Sequence, residues 1–145
     1  MSRKKATILC VDDHWNGLIG WKMVLEKRGY EVLLATGSSE GLSLFASHAI
    51  DAVVLDYQLP GMTGYAVAAK MKGIRSNVPI MLLASSEPLP QGKLEFVDSL
   101  MSKSQAPAAL VSKLDNLLAG TKPFFHRWLE HWKSRNLTKV SDPSS

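Results

Sequence analysis

Acidic side chains stand at two places where short apolar runs end. Asp12 and Asp13 follow Ala6–Val11 (ATILCV), and Asp56 follows Asp51–Leu55 (DAVVL). If both runs are neighbouring strands of a parallel sheet, about 4.8 Å apart, the three carboxylates meet at one sheet edge. Left alone they repel one another and raise each other's pKa. A hard divalent cation relieves that conflict. Mg²⁺ takes oxygen ligands, tolerates few carboxylates and keeps several waters, which suits a shallow rim site open to phosphate. Lys103 follows a further short run, Leu100–Ser102. Its ammonium can balance the carboxylates and hold a phosphoryl oxygen as a point charge. Each residue alone also fits a plainer role, since strand-end aspartates cap loops and single lysines sit in solvent. The combination is what capping explains poorly.

The elements that would position these groups can be read from periodicity. Ala6–Val11, Glu31–Ala35, Asp51–Leu55, Val78–Leu83 and Leu100–Ser102 read as buried strands, short and apolar without alternation. Trp15–Arg28 reads as a helix with Leu18, Trp21 and Leu25 on one side and Gly29 as its stop. Ser38 or Ser39 can cap a second helix, Gly64–Lys72 forms a third, and Ala106–Leu118 forms the last, stopped by Gly120. Strand and helix alternate about five times with short connections. That pattern selects an α/β fold with a parallel sheet, right-handed crossovers and helices on both faces. In such sheets, functional groups collect beyond the carboxyl ends of the strands.

Composition sets the outer bounds. The 145 residues are 46% hydrophobic and 21% charged, a balance that fits one soluble domain and excludes disorder throughout. The formal net charge is +4, and +3 of it lies in the last 25 residues. Such a basic tail is ordinarily a solvated face, and direct DNA binding is not expected. Cys10 is the one cysteine, expected to be an inert buried thiol. No apolar stretch approaches a membrane span, no secretory signal is visible, and the expected compartment is the cytoplasm. There is no P-loop, no Ser-His-Asp arrangement and no Cys/His cluster. His14, beside the acidic pair, is near enough to touch the site rim but is expected to be an exposed loop residue, and His126 and His131 are expected to be surface residues.

ILCVDD at Ile8–Asp13 resembles the first strand and acidic pair of bacterial response-regulator receiver domains. VVLDYQLPGMTGYAV at Val53–Val67 is similar to the stretch around their phospho-accepting aspartate, with Leu59-Pro60-Gly61-Met62 and Gly64 at the family's spacing. GYEVLLATGSSEGLSLF resembles the second strand and helix, and the likeness covers roughly residues 6–119. It implies a flavodoxin-like (βα)5 fold with strand order 2-1-3-4-5. It implies that Asp56 takes a phosphoryl group from a histidine kinase or phosphotransfer protein, with Mg²⁺ held by Asp12, Asp13, Asp56 and the backbone carbonyl of Gln58. Asp13 would ligate directly and Asp12 from just behind. Lys103 would contact the phosphoryl group. The family acts by protein–protein contacts and not as a turnover enzyme on a small substrate. A phosphatase with an aspartyl nucleophile would want a second acid two residues on, where Gln58 stands.

Three positions depart from the family pattern. The hydroxyl residue expected at the end of the fourth strand is Ala84, so that Ser85, one residue later, is the possible substitute. Leu100 replaces the switch aromatic. Ser104 follows Lys103 where proline is common, which predicts a trans peptide and an altered lysine loop. The span from Ala84 to Lys103 is about one helical turn short and contains Pro88, Pro90 and Gly92, so the fourth helix should be short, shifted or absent. These changes keep open a second reading, a degenerate receiver that binds or scaffolds without phosphorylation.

Residues 1–120 are thus assigned to a receiver domain and 121–145 to a C-terminal extension. In that extension Thr121 can cap a helix carrying Phe125, Trp128, Leu129 and Trp132 on one stripe, with a frayed end. The stripe suits docking on the chain's own core, self-association or a downstream protein better than a membrane surface. A receiver with no attached output domain is the expected organisation.

Overall fold

The structure is a computed structural model that describes residues 5–85, 95–105 and 108–121. Its element order is β1 (Thr7–Val11), α1 (Trp15–Arg28), β2 (Glu31–Ala35), α2 (Ser38–Ser47), β3 (Ala52–Asp56), β4 (Gln58–Leu59), β5 (Met62–Thr63), α3 (Gly64–Ile74), β6 (Ile80–Ala84), β7 (Ser99–Ser102), a 3-10 turn (Lys103–Gln105) and α4 (Ala108–Thr121). Five strands form one parallel sheet in the order β2-β1-β3-β6-β7. Counting only sheet strands, this is the expected 2-1-3-4-5 order.

Residue alternation along each strand sends side chains to two separate cores. Leu9, Val11, Val53, Leu55, Ile80 and Leu82 face α2 and α3, where Phe45, Val67, Ala68 and Met71 meet them. Ile8, Cys10, Val54, Met81, Leu83 and Met101 face α1 and α4, where Leu18, Leu25, Leu110 and Leu114 meet them. Both sheet faces are therefore covered, which is why the strands are near-continuous apolar runs. Asp115 of α4 accepts from the Arg28 guanidinium at the end of α1 (Nη2 2.8 Å) and from the Tyr30 hydroxyl, tying that layer together.

Several boundaries differ from the sequence reading. Asp56 does not follow β3 but ends it, paired with Leu83, because Tyr57 N–H carries the ladder onward to the Leu83 carbonyl at 2.8 Å. Neither Ser38 nor Ser39 caps α2. Gly37 is the N-cap in extended backbone with no side-chain capping hydrogen bond, and Glu40 in the first turn reaches back to accept from the Thr36 N–H at 3.0 Å, tying the incoming chain to the helix. The Leu59–Met62 segment is a turn between two short antiparallel strands, with Gly61 at φ 79°, the left-handed position after proline that favours glycine. Thr63 caps α3 by accepting from Ala66 N–H at 3.2 Å. Pro79, which has no N–H to give, stays outside β6, and β6 runs on to include Ala84.

The last helix passes through Gly120, which does not stop it, and takes in Thr121; the further helix that Thr121 was expected to cap lies outside the described residues. Glycine in a helix costs only about 1 kcal/mol and does not compel a stop. In the β6–β7 connection, Ser85 and the described residues 95–98 hold no helix. Residues 86–94, with Pro88, Pro90 and Gly92, lie outside the described residues, as does the aromatic stripe of 122–145. Among the described residues, no helix is long and apolar enough to cross a membrane.

Candidate functional site

The parallel register places the carboxyl ends of β1 and β3 side by side, with Val11 opposite Leu55. Asp12 and Asp56, one step further on, therefore emerge next to each other. Both are buried, at 3% and 4% exposure, whereas Asp13 is exposed at the rim. Buried carboxylates need partners. Lys103, entering from the end of β7, supplies one: its Nζ lies 2.8 Å from Asp12 Oδ2 and 3.4 Å from Asp56 Oδ1. The Gln58 N–H adds a 3.3 Å hydrogen bond to Asp56 Oδ1, and the His14 N–H donates to Asp12 Oδ1 at 2.9 Å.

The partners are shared unevenly, and the pKa values separate accordingly. Burial alone would raise Asp12, but the Lys103 ammonium and the His14 N–H outweigh it and hold Asp12 below the ordinary carboxylate range. Asp56 is raised, first by burial and then by the negative charge of Asp12, which Lys103 and the Gln58 N–H only partly offset. Burial works against the Lys103 charge, yet the two carboxylates overcome it and push its pKa up. Below the pocket, burial and then Asp12 push the Cys10 thiol up to about 12, so it is inert as expected.

Three carboxylates and one ammonium leave an excess of two negative charges. Ligand atoms of Asp12, Asp13, His14 and Asp56 all lie within 4.8 Å of one another. An oxygen-rich cluster with that excess charge fits a divalent cation such as Mg²⁺. Asp12, Asp13, Asp56 and Lys103 are thus brought together as their spacing suggested. Gln58 meets the cluster through its N–H. Ser85 is exposed just beyond β6 and makes no hydrogen bond to the cluster. Ala84 ends β6 buried, opposite Ser102. Leu100 packs on the α2/α3 core with no ring in that position.

Three features of the site escaped the sequence reading, and a fourth, His14 at the site rim, was the less favoured of two readings. The His14 ring, though 74% exposed as anticipated, lies with Nδ1 3.1 Å from both Asp12 Oδ1 and Asp13 Oδ1. The signal was adjacency to the acidic pair. The lysine loop is held by serines: the Ser102 and Ser104 hydroxyls are 2.8 Å apart, and Ser104 N–H donates to Ser102 Oγ at 3.2 Å. Lys103 sits between them at the start of a 3-10 turn, Lys103–Gln105. Gly64 stands so close to the chain at Asp56 that a side chain there would meet the Asp56 carbonyl at 2.1 Å, and its N–H donates to Tyr57 O at 2.6 Å. Asp98 anchors the start of β6, accepting from Ile80 N–H at 2.8 Å and Lys72 Nζ at 2.9 Å.

Comparison with known proteins agrees with this geometry. The family model described as "Response regulator receiver domain" matches residues 8–115. The response regulator SaeR of Staphylococcus aureus is 28% identical over 137 residues, covering 92% of this chain and 60% of that protein. The chain thus spans about 60% of the length of the curated relatives it matches. Among solved structures, response regulator TrrA of Thermotoga maritima, determined in complex with Mg²⁺-BeF, is 31% identical with a TM-score of 0.73 over 78% of this chain and 99% of that one. A CheY-like receiver domain protein from Methanospirillum hungatei is 25% identical, with a TM-score of 0.73 over 82% of this chain and 98% of that one. Sheet order, acidic cluster and these matches agree: the chain belongs to the response regulator receiver domain family of two-component signalling.

Proposed function

We propose that this receiver accepts a phosphoryl group on Asp56 from a phosphohistidine of a sensor kinase or phosphotransfer protein. The observation that carries the reading is the convergence of Asp12, Asp13, Asp56 and Lys103 at one end of the sheet. An Asp56 carboxylate oxygen attacks phosphorus, the O–P bond forms, and the N–P bond to the donor imidazole breaks. The imidazole leaves with the bonding pair and takes a proton from solvent. A carboxylate suffices as nucleophile because the phosphoramidate is an activated donor. Mg²⁺, when bound, would offset negative charge on the transferring group. Asp12, Asp13, Asp56 and the Gln58 carbonyl would hold it.

Lys103 is free to leave Asp56 for a phosphoryl oxygen while keeping Asp12, its shorter contact. The Gln58 N–H steadies Asp56 in the meantime. Ser85 is the hydroxyl that could approach the product if the β6 end slips. Output would pass through contacts with a downstream protein or a second copy, with the C-terminal segment as one candidate surface. The cytoplasm is the compartment such a partner set implies.

Ala84 and Leu100 favour a second arrangement for output. With no hydroxyl at the end of β6 and no ring on β7, phosphorylation would leave partner affinity unchanged. One experiment addresses both levels. Incubation with an acyl phosphate and MgCl2 should add one phosphoryl group, acid-stable and base-labile, that is absent in Asp56→Asn. No adduct, or an adduct retained by Asp56→Asn, refutes the reading. Sedimentation of the labelled protein then separates the outputs: a phosphorylation-driven dimer argues for ordinary switching, and an unchanged monomer for uncoupling.

A further inference from the structure

We propose that His14 is a nitrogen ligand of the cation pocket, so that this receiver binds imidazole-preferring transition ions more tightly than Mg²⁺. The proposal rests on the reading that the acidic pocket holds a divalent cation. It adds a ligand of a different chemical class.

His14 occupies the N-cap position of α1 in extended backbone (φ −102°, ψ 106°) and makes no side-chain capping hydrogen bond. Its ring is turned to the carboxylates instead, with Nδ1 3.1 Å from Asp12 Oδ1 and 3.1 Å from Asp13 Oδ1. The ring is 74% exposed, so packing does not force it there. The backbone N–H of His14, bonded to Asp12 Oδ1, fixes the chain beside the pocket. Asp12 is thereby divided: Oδ2 belongs to Lys103, and Oδ1 faces His14.

The distances suit a shared ion. A ring nitrogen of His14 belongs to the set of ligand atoms that lie within 4.8 Å of one another, and Nδ1 is the one 3.1 Å from Asp12 and Asp13. Ligands on opposite sides of an ion at about 2.1 Å stand roughly 4.2 Å apart. Closing the set around one ion needs shifts of well under an ångström, within reach of χ rotation in an exposed ring. Mg²⁺ has little use for a nitrogen donor. Imidazole suits Co²⁺, Ni²⁺ and Zn²⁺, and affinity at mixed N/O sites rises from Mn²⁺ through Co²⁺ and Ni²⁺ to a maximum at Cu²⁺ before falling at Zn²⁺. A neutral imidazole also adds a ligand without adding charge to a pocket that already carries an excess of two negatives.

The test is isothermal titration of the full chain with MgCl2 and, separately, CoCl2, for the wild type, His14→Ala and Asp13→Asn. The other histidines, His48, His126 and His131, are common to all three proteins, so binding there cancels. His14→Ala should weaken Co²⁺ by at least about tenfold, the smallest loss usual when even an outer partner of a metal site is removed. Mg²⁺ affinity should stay the same. Pulsed EPR of the Mn²⁺ complex should show nitrogen coupling in the wild type and none in His14→Ala. Unchanged Co²⁺ affinity in His14→Ala, or an equal loss for both ions, overturns the ligand assignment. If Asp13→Asn also leaves both ions unaffected, the cation reading itself fails, which separates the two failures.

Discussion

Replacing Gly64 by alanine should unseat the phospho-accepting strand. An added Cβ would lie 2.1 Å from the Asp56 carbonyl oxygen, 2.9 Å from Leu82 Cδ2 and 3.0 Å from the Asp56 carbonyl carbon. Ordinary contact begins at 3.4 Å, so the first overlap exceeds 1 Å and involves backbone. The Leu82 methyl can rotate away. The Asp56 carbonyl cannot, because Asp56 is paired with Leu83 and Tyr57 N–H is bonded to Leu83 O at 2.8 Å. Overpacking costs about 1–3 kcal/mol, and this case belongs at the upper end. Loss of one ladder hydrogen bond adds about 1 kcal/mol. Alanine returns somewhat less than 1 kcal/mol in helix propensity. The expected net cost is about 3 kcal/mol, read from urea denaturation followed by circular dichroism. Phosphoryl uptake by the folded fraction should fall as well, because the same push moves Asp56. A Gly64→Ala protein within about 0.5 kcal/mol of wild type, the range of an inert surface change, would refute the reasoning.

Other outcomes follow from the same structure. Gly20 lies inside α1 with nothing within 4 Å of a built Cβ, so Gly20→Ala should stabilise by about 0.5–1 kcal/mol in the same titration. Asp56→Asn should stabilise the metal-free protein at neutral pH. The Asp56 pKa is raised in the fold, so the native state holds more protons than the unfolded chain between the ordinary carboxylate value and the raised one, and stability drops as pH rises through that window. Asp12, held low, acts in the opposite sense and loses its contribution as pH falls. The advantage of Asp56→Asn measured in EDTA should therefore shrink on acidification; a variant less stable than wild type at pH 7 would contradict this. Ser102→Ala removes both hydrogen bonds that hold the lysine loop and should cost about 1–2 kcal/mol, with slower phosphoryl uptake. Asp98→Ala leaves Ile80 N–H and Lys72 without their shared acceptor and should cost about 2 kcal/mol, with phosphoryl uptake retained in the folded protein.

Much of the architecture was legible in the chain because it depends on local pattern. Apolar runs too short for helices and lacking alternation announce strands covered on both faces, and Gly29 after Arg28 announces the end of α1, where its φ of 106° suits no other residue as well. Two aspartates after one such run and a third after another were enough to expect a shared rim, since parallel strands put their carboxyl ends on one side. The Asp56 stretch then pointed to a family, and Ala84, Leu100 and Ser104 to where the chain departs from it.

What the tertiary structure alone decided is how those charges are apportioned. Lys103 meets Asp12 across 91 positions of sequence, a distance over which spacing carries no information, and it sits nearer Asp12 than Asp56. That asymmetry separates the two carboxyl pKa values. The His14 ring, the serine clasp around Lys103 and the contact of Gly64 with the Asp56 carbonyl likewise depend on torsions and close approaches a few ångströms across. Periodicity says which face a residue occupies. Only the packed chain says which atom it touches.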